Sequence, residues 1–223
     1  MQAGNKTYRS ASDIPENVPV FPLSGALLLP GGQMPLNVFE PRYLEMVDTA
    51  LRGDRLIGMI QPRFSGDTGA TDCPELCAVG CLGRLASFAE SGDGRYLISL
   101  EGVCRFRLVS ELTVRTPFRQ CRITPFEADL AEEDAGVDVN RAELLRVFKE
   151  YLDANELEAD WDSVKRASND TLVNALSMMS PYGPAEKQAL LEAPDLKARA
   201  ETLVALTEMA LARDKDDFGK TLQ

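Results

Sequence analysis

Proline and glycine residues divide residues 18–44 of this chain into very short apolar segments. The stretch reads VPVFPLSGALLLPGGQMPLNVFEPRYL and holds five prolines and three glycines. Pro22, Pro30 and Pro35 each lack the amide hydrogen that a sheet ladder uses, so the segments between them can only be short strands. Gly31 and Gly32 favour a turn with positive φ between two of these strands.

A helix follows this stretch. Pro41 occupies the first-turn position that proline tolerates best, and Glu40 places a negative charge near the positive end of the helix dipole. Gly53 is a typical residue for the end of such a helix. The sequence therefore predicts a helix over residues 41–52, the only one within a region otherwise made of strands.

The period of the apolar pattern changes near residue 126. Before this point short runs and turn residues predict strands near 18–22, 26–29, 34–39, 56–61, 77–89, 95–102, 103–110 and 112–125. Gly102 predicts a bulge or bend that splits one long β segment into two. After residue 138 the period is helical, with predicted helices over about 138–154, after Ser168, after Pro184 and from Pro194 to Arg213.

Several motifs, taken in order, resemble the N-terminal domain of Lon proteases. They are FPL, PGG, MPLNVFEPRYLEMV, VGCLGRLASF and GRYLISLEGVCRFRL, and they are strongest over residues 18–110. The resemblance implies a PUA-like pseudo-barrel and a role in recognising substrates for an ATP-dependent protease. The motifs consist of turn and strand residues and contain no catalytic signature, so they imply a fold more directly than an activity.

Pattern and resemblance together predict an α+β fold, a β-rich PUA-like pseudo-barrel followed by an all-helical bundle. The predicted parts are a flexible N-terminus (1–17), the β-rich subdomain (18–126), an acidic connector (127–138), the helical subdomain (139–213) and a polar tail (214–223).

Composition excludes some classes of function. The chain has no histidine, which removes Ser-His-Asp and Cys-His catalysis and histidine-ligated metals. The net charge of −11 comes entirely from residues 127–223, while residues 1–126 are balanced. The helical half should therefore repel nucleic acid. Five cysteines are best interpreted as reduced, buried residues of a cytoplasmic protein, and no apolar run is long enough to cross a bilayer.

Three short motifs suggest chemistry that their surroundings do not support. Residues 219–221, GKT, lack the earlier glycine of a phosphate-binding loop, and residues 67–69, DTG, stand in a polar loop sequence. Cys77 and Cys81 lie on one predicted strand, about 13 Å apart, which is too far for one zinc ion. We therefore predict no catalytic, cofactor-binding or metal-binding residue.

Two groups of residues are candidates for contacting a partner. Arg105 and Arg107 share a strand face in an arginine-rich region, which is either a docking surface or a solvated face that pairs with acids of the helical half. Phe39, Arg42 and Tyr43 stand at the strand–helix junction, where the aromatic rings either pack in the core or grip a substrate.

The resulting hypothesis is a stand-alone, non-enzymatic module that binds unfolded or exposed polypeptide segments. Full Lon proteases add ATPase and Ser-Lys peptidase domains, which the residues after 126 could not hold. We expect a cytoplasmic monomer or weak homodimer that works with a protease or chaperone system. The alternatives are a PUA-like RNA-binding module, which would use Arg105 and Arg107, and a hydrolase that works without histidine.

Overall fold

The N-terminal residues pack against the body of the protein. The structure is a computed structural model that describes residues 1–63, 74–131, 139–155 and 157–221, with side chains described to residue 213. Strands β1 (Gln2–Ala3) and β2 (Lys6–Thr7) form an antiparallel hairpin, and Ala3 and Tyr8 are fully buried. The prediction of a flexible N-terminus is wrong here, because Tyr8 fills the core and its hydroxyl accepts a hydrogen bond from Arg84.

Five strands close into a β-barrel. The strands of the main sheet are β3 (Asn17–Pro22), β4 (Gln33–Val38), β5 (Leu56–Pro62), β6 (Leu76–Glu90), β7 (Tyr96–Glu111) and β8 (Gln120–Pro125). Around the barrel the order is β7–β6–β5–β3–β8, and β8 pairs back onto β7. Among the described strands, only β3 and β5 pair in parallel, and β4 extends the sheet by pairing with the first half of β7.

Strand β7 is continuous where the sequence predicts two strands. The register of its pairing with β6 shifts beside Gly102, as expected for a bulge, but the strand continues through the shift. Residues 26–29, predicted as a strand, form no ladder although Leu27, Leu28 and Leu29 are buried. The turn that follows closes on β7 instead, because Gly31 donates to the Gly102 carbonyl and Gly102 donates to that of Gly32. Of residues 112–125, only β8 is a strand.

The helices agree with the predicted start and stop residues in most cases. They are α1 (Pro41–Arg52), α2 (Arg141–Ala154), α3 (Trp161–Arg166), α4 (Asn169–Met179), α5 (Pro184–Glu192) and α6 (Leu196–Thr221). Helix α3 is not among the predicted helices, and α6 extends beyond Arg213, its predicted end. Among the described residues, no helix has the length and apolar character that crossing a membrane requires.

Two hydrophobic clusters form the core. One holds buried residues from all five barrel strands and therefore fills the barrel, with Phe106 fully buried near its centre. The other runs from the outer barrel wall to α1 and to the helices after residue 139, and it includes Leu100, Leu144 and Leu203. The second cluster therefore joins the barrel wall to the helical half, which confirms the α+β fold and shows that its two parts are packed together.

Candidate functional site

A groove of about 510 Å³ lies between the loop that leads into β4 and helix α4. One wall is formed by residues 25–35, and the other by the exposed side of α4 together with Lys187 of α5. The loop wall carries little side-chain bulk, because it is rich in glycine and proline. The groove is thus an open surface trough between the barrel half and the helical half.

Methionine side chains give this groove, which we call the methionine groove, its apolar character. Met34 and Met178 are partly buried, and Met179, the last residue of α4, is 79% exposed. A side chain at Gly32 would collide with the sulfur of Met178, so the glycine allows the two walls to approach closely. Methionine is flexible and polarisable and is common on surfaces that accept varied apolar partners.

Strand β4 borders the groove and has an unpaired edge. It pairs with β7 on one side and has no second neighbour among the described strands. Pro35, at its centre, has no amide hydrogen and is therefore tolerated on an edge strand. Gln33, Met34 and Pro35 of this strand all line the groove. An extended polypeptide in the groove would lie beside a strand edge that offers free backbone acceptors.

The polar floor of the groove is formed by Asn174, which is 8% exposed. Its Nδ2 donates to the carbonyl oxygen of Pro30 at 3.1 Å, and its Oδ1 accepts from Nη1 of Arg199 at 3.0 Å. Burial, and next the neighbouring charge of Arg105, lower the pKa of Arg199 to about 10. A buried guanidinium thus lies directly behind the groove.

A second depression, of about 450 Å³, lies between the start of α2 and α6. Four charged residues line it: Glu143, Lys197, Glu201 and Glu208. Its charged lining makes it less suitable than the methionine groove for holding an apolar segment.

Arg105 is buried inside the molecule. It is 3% exposed, and its Nε and Nη2 donate to the two carboxylate oxygens of Asp129, each at 2.8 Å. Its Nη1 donates to the carbonyl oxygens of Leu191, at 3.2 Å, and Ala193, at the end of α5. Burial lowers the pKa of Arg105, but the hydrogen bond and charge of Asp129 more than offset this, so the pKa is raised.

This burial contradicts the prediction that Arg105 meets a partner. Its acid, Asp129, belongs to the predicted connector and not to the helical subdomain. The ring of Phe126 lies 4.9 Å from the Arg105 guanidinium carbon and 5.6 Å from that of Arg107. Arg107 is exposed, so the two arginines do not form a common docking surface.

The junction residues divide between core and surface. Tyr43 is buried and packs on Phe21 with ring centroids 4.2 Å apart, as the core interpretation predicts. Phe39 is exposed, which contradicts the core interpretation for this ring. Arg42 pairs with Glu40 at 2.7 Å across the helix start. None of the five predicted contact residues lines the methionine groove, and a binding role for Phe39, Arg42 and Arg107 stays a prediction.

The sequence comparison identifies the family. A sequence model of the ATP-dependent protease La (LON) substrate-binding domain matches residues 17–208. This chain belongs to that family.

Relatives of this Lon substrate-binding domain are much longer proteins. Lon protease 2 of Myxococcus xanthus is 29% identical over 204 residues, which cover 87% of this chain and 24% of the relative. Lon protease 2 of Sorangium cellulosum is 27% identical over a match that covers all of this chain and 29% of that relative. The chain therefore spans about a quarter of the length of the relatives it matches.

Solved Lon N-terminal domains share the fold. A Lon N-terminal domain protein from Xanthomonas campestris superposes with a TM-score of 0.61 at 23% identity, covering 85% of this chain and 97% of that one. The N-terminal domain of Mycobacterium avium complex Lon protease superposes with a TM-score of 0.65 at 18% identity. The match covers 86% of this chain and 98% of that one. The resemblance seen in the sequence motifs is confirmed.

Four cysteines of this Lon substrate-binding domain are buried: Cys77, Cys81, Cys104 and Cys121. Burial raises the pKa of Cys104 to about 12 and that of Cys121 to about 11, and it raises the pKa of the other two thiols. Among the described residues no cluster of three potential metal ligands occurs. Cys73 and residues 67–69, DTG, lie outside the described residues, as do the side chains of residues 219–221, GKT.

These thiols are expected to resist alkylation in the folded protein. At pH 8 a thiol with a pKa near 12 is a thiolate roughly one time in ten thousand, and its surroundings also block access. Iodoacetamide at pH 8, followed by peptide mass spectrometry, should leave all four cysteines unmodified until denaturant is added. Rapid native labelling of Cys81 or Cys104 would contradict the packing described here.

Proposed function

We propose that this chain binds unfolded or exposed segments of other polypeptides in the methionine groove. The observation that carries the proposal is an apolar trough, lined by adaptable side chains and bordered by an open strand edge, in a member of a substrate-binding family. Such a groove accepts apolar side chains of differing shape, while the strand edge offers acceptors to the backbone of an extended segment.

The proposed module recognises a segment without changing it chemically. It presents the segment to a partner, which we expect to be a Lon-type protease or a chaperone system in the cytoplasm, as an adaptor, a holdase or a regulator. The burial of Arg105 makes the RNA-binding alternative weaker, because that alternative relied on two neighbouring accessible arginines. The hydrolase alternative requires a carboxyl group with a raised pKa in a cleft, and among the described residues the shifted carboxyl groups, Asp13, Asp93 and Asp160, all have lowered pKa values.

Replacing Met179 with aspartate is expected to weaken binding of an unfolded polypeptide about tenfold. Burying this side chain against an apolar segment contributes about 1.5 kcal/mol, which corresponds to roughly one decade in Kd, and a carboxylate would have to be desolvated. The measurement is fluorescence anisotropy with a labelled, reduced and carboxymethylated polypeptide, in the absence of nucleotide.

The chain provides a matched control in Met209. This methionine is 51% exposed on α6 and lies outside the groove, so Met209→Asp makes the same chemical change elsewhere on the helical half. Both variants should melt near the native temperature. Equal weakening by the two substitutions would show that the groove is not the site, and absence of saturable binding by the native chain at about 100 μM would refute the proposed function.

A further inference from the structure

Arg199 is a buried cation that has no carboxylate partner within the part of the chain that the structure describes. It is 4% exposed, and among the described residues no acid lies within ion-pair distance of it. Its Nε donates to the carbonyl of Leu190 at 3.0 Å, its Nη1 donates to Asn174, and its Nη2 is buried with no partner among the described residues. Burying a charge in this way is costly, so a structure that retains it suggests a specific task.

The guanidinium fixes the orientation of the Asn174 side chain. An arginine can only donate hydrogen bonds, so the amide atom that faces it must be the oxygen. The amide nitrogen is then directed to the opposite side, where it donates to the carbonyl oxygen of Pro30. If the amide were reversed, its nitrogen would face the donor Arg199 and its oxygen would face the acceptor oxygen of Pro30. Both hydrogen bonds would then be lost.

This hydrogen bond connects the two walls of the groove. Asn174 belongs to α4, and Pro30 begins the Pro30–Gly31–Gly32 turn of the loop wall. The far side of that turn is held on β7 by the two hydrogen bonds between Gly102 and the glycines. This hydrogen bond, backed by Arg199, is therefore a direct polar connection between the turn and α4, in addition to the packing of Met178 beside Gly32.

We propose that Asn174, oriented by Arg199, is a positioning residue that sets the width of the methionine groove. The proposal rests on the proposed function of that groove. A donor-only cation behind the amide keeps a donor directed at Pro30 at all times. This role accounts for a guanidinium at a buried position where an aliphatic side chain would avoid the cost of burial.

Asn174→Asp separates this role from general stability. The carboxylate would still accept from Arg199 and would give the cation the ion partner that it lacks. It has no hydrogen to donate to Pro30, however, and its negative oxygen would repel that carbonyl and displace the turn. We expect a melting temperature within about 3 °C of the native value, and binding of the carboxymethylated polypeptide weakened about five- to tenfold.

Asn169→Asp is the matched control. Asn169 begins the same helix, and its Oδ1 also accepts from an arginine, Nη1 of Arg141, at 2.8 Å. The control variant adds the same charge to an arginine-paired asparagine but leaves the Pro30 contact intact. We expect Asn169→Asp to bind the carboxymethylated polypeptide with the same affinity as the native chain.

Hydrogen exchange gives a readout that does not depend on polypeptide binding. The amides of Leu29 and of residues 31–34 should exchange at least about tenfold faster in Asn174→Asp than in the native chain or in Asn169→Asp. The inference would be overturned if Asn174→Asp had the same amide exchange rates and the same polypeptide affinity as the native chain. It would also be overturned if the melting temperature of the variant fell far enough for unfolding to account for the loss of binding. If the native chain binds no polypeptide but the exchange difference is seen, the positioning role stands and the proposed function fails.

Discussion

Arg105→Ala is expected to lower the free energy of unfolding by about 3–5 kcal/mol. The substitution leaves Asp129 as a buried carboxylate without its cation, and it leaves the carbonyl oxygens at the end of α5 without their donor. Both losses fall at the contact between the barrel and the helical half. Urea denaturation followed by circular dichroism measures the effect.

Two further variants test the cause of this loss. Arg107→Ala removes an exposed arginine from the same strand, beside the same Phe126 ring, and should barely move the denaturation midpoint. The double variant Arg105→Met with Asp129→Leu should be more stable than Arg105→Ala, because no buried charge is left alone. A double variant no more stable than Arg105→Ala would mean that the unpaired Asp129 carboxylate is not the reason for the effect.

Gly102→Ala is expected to lower the free energy of unfolding by about 3 kcal/mol, which is near the upper end of the range for overpacking a core. A methyl group at this position would collide with the carbonyl oxygen of Leu29, which is backbone and cannot rotate away. Since Gly102 also makes two hydrogen bonds to the Pro30–Gly31–Gly32 turn, the loop wall of the groove should be displaced as well. Thermal denaturation measures the first effect, and the anisotropy assay measures the second.

Gly53→Ala provides the comparison for this glycine. Its new methyl group would lie 3.6 Å from the nearest atom, the carbonyl oxygen of Thr49, which is an ordinary contact. The two variants make the same chemical change, so their difference isolates the close approach of Leu29. Equal stability of the two would show that the turn can move away from β7 without cost.

The sequence predicts well those elements whose boundaries are set by local chemistry. Helix α1 begins at Pro41 and ends before Gly53 as predicted, because the proline and the glycine act on their own backbone. The helical period predicted for the last helix is also seen in α6, since Ala200, Leu203 and Leu211 are all buried. In these cases a short window of sequence contains the physical cause.

Tertiary contacts decide the cases that were predicted wrongly. Leu27, Leu28 and Leu29 resemble a strand in composition, but their backbone leads into a turn that closes on Gly102, more than 70 residues away. The alternation along β7 correctly separates Arg105 from Phe106. It does not show that Asp129 and the end of α5 cover one of these faces.

The methionine groove was missed for the same reason. Its two walls meet through Pro30 and Asn174, which are 144 residues apart in the chain. No periodic pattern connects positions so distant, and Met178 and Met179 resemble the end of an ordinary amphipathic helix. The one local signal was the pair of glycines at 31 and 32, interpreted only as a turn.

Pro35 has a consequence for concentrated solutions of the protein. Open strand edges are the usual starting points for fibres, since each edge can template the addition of another molecule. A missing amide hydrogen at the centre of β4 interrupts the ladder that two such edges would need in order to zip together. Pro35 therefore disfavours self-assembly along this edge, while one extended polypeptide can still form shorter hydrogen-bonded contacts on either side of the proline.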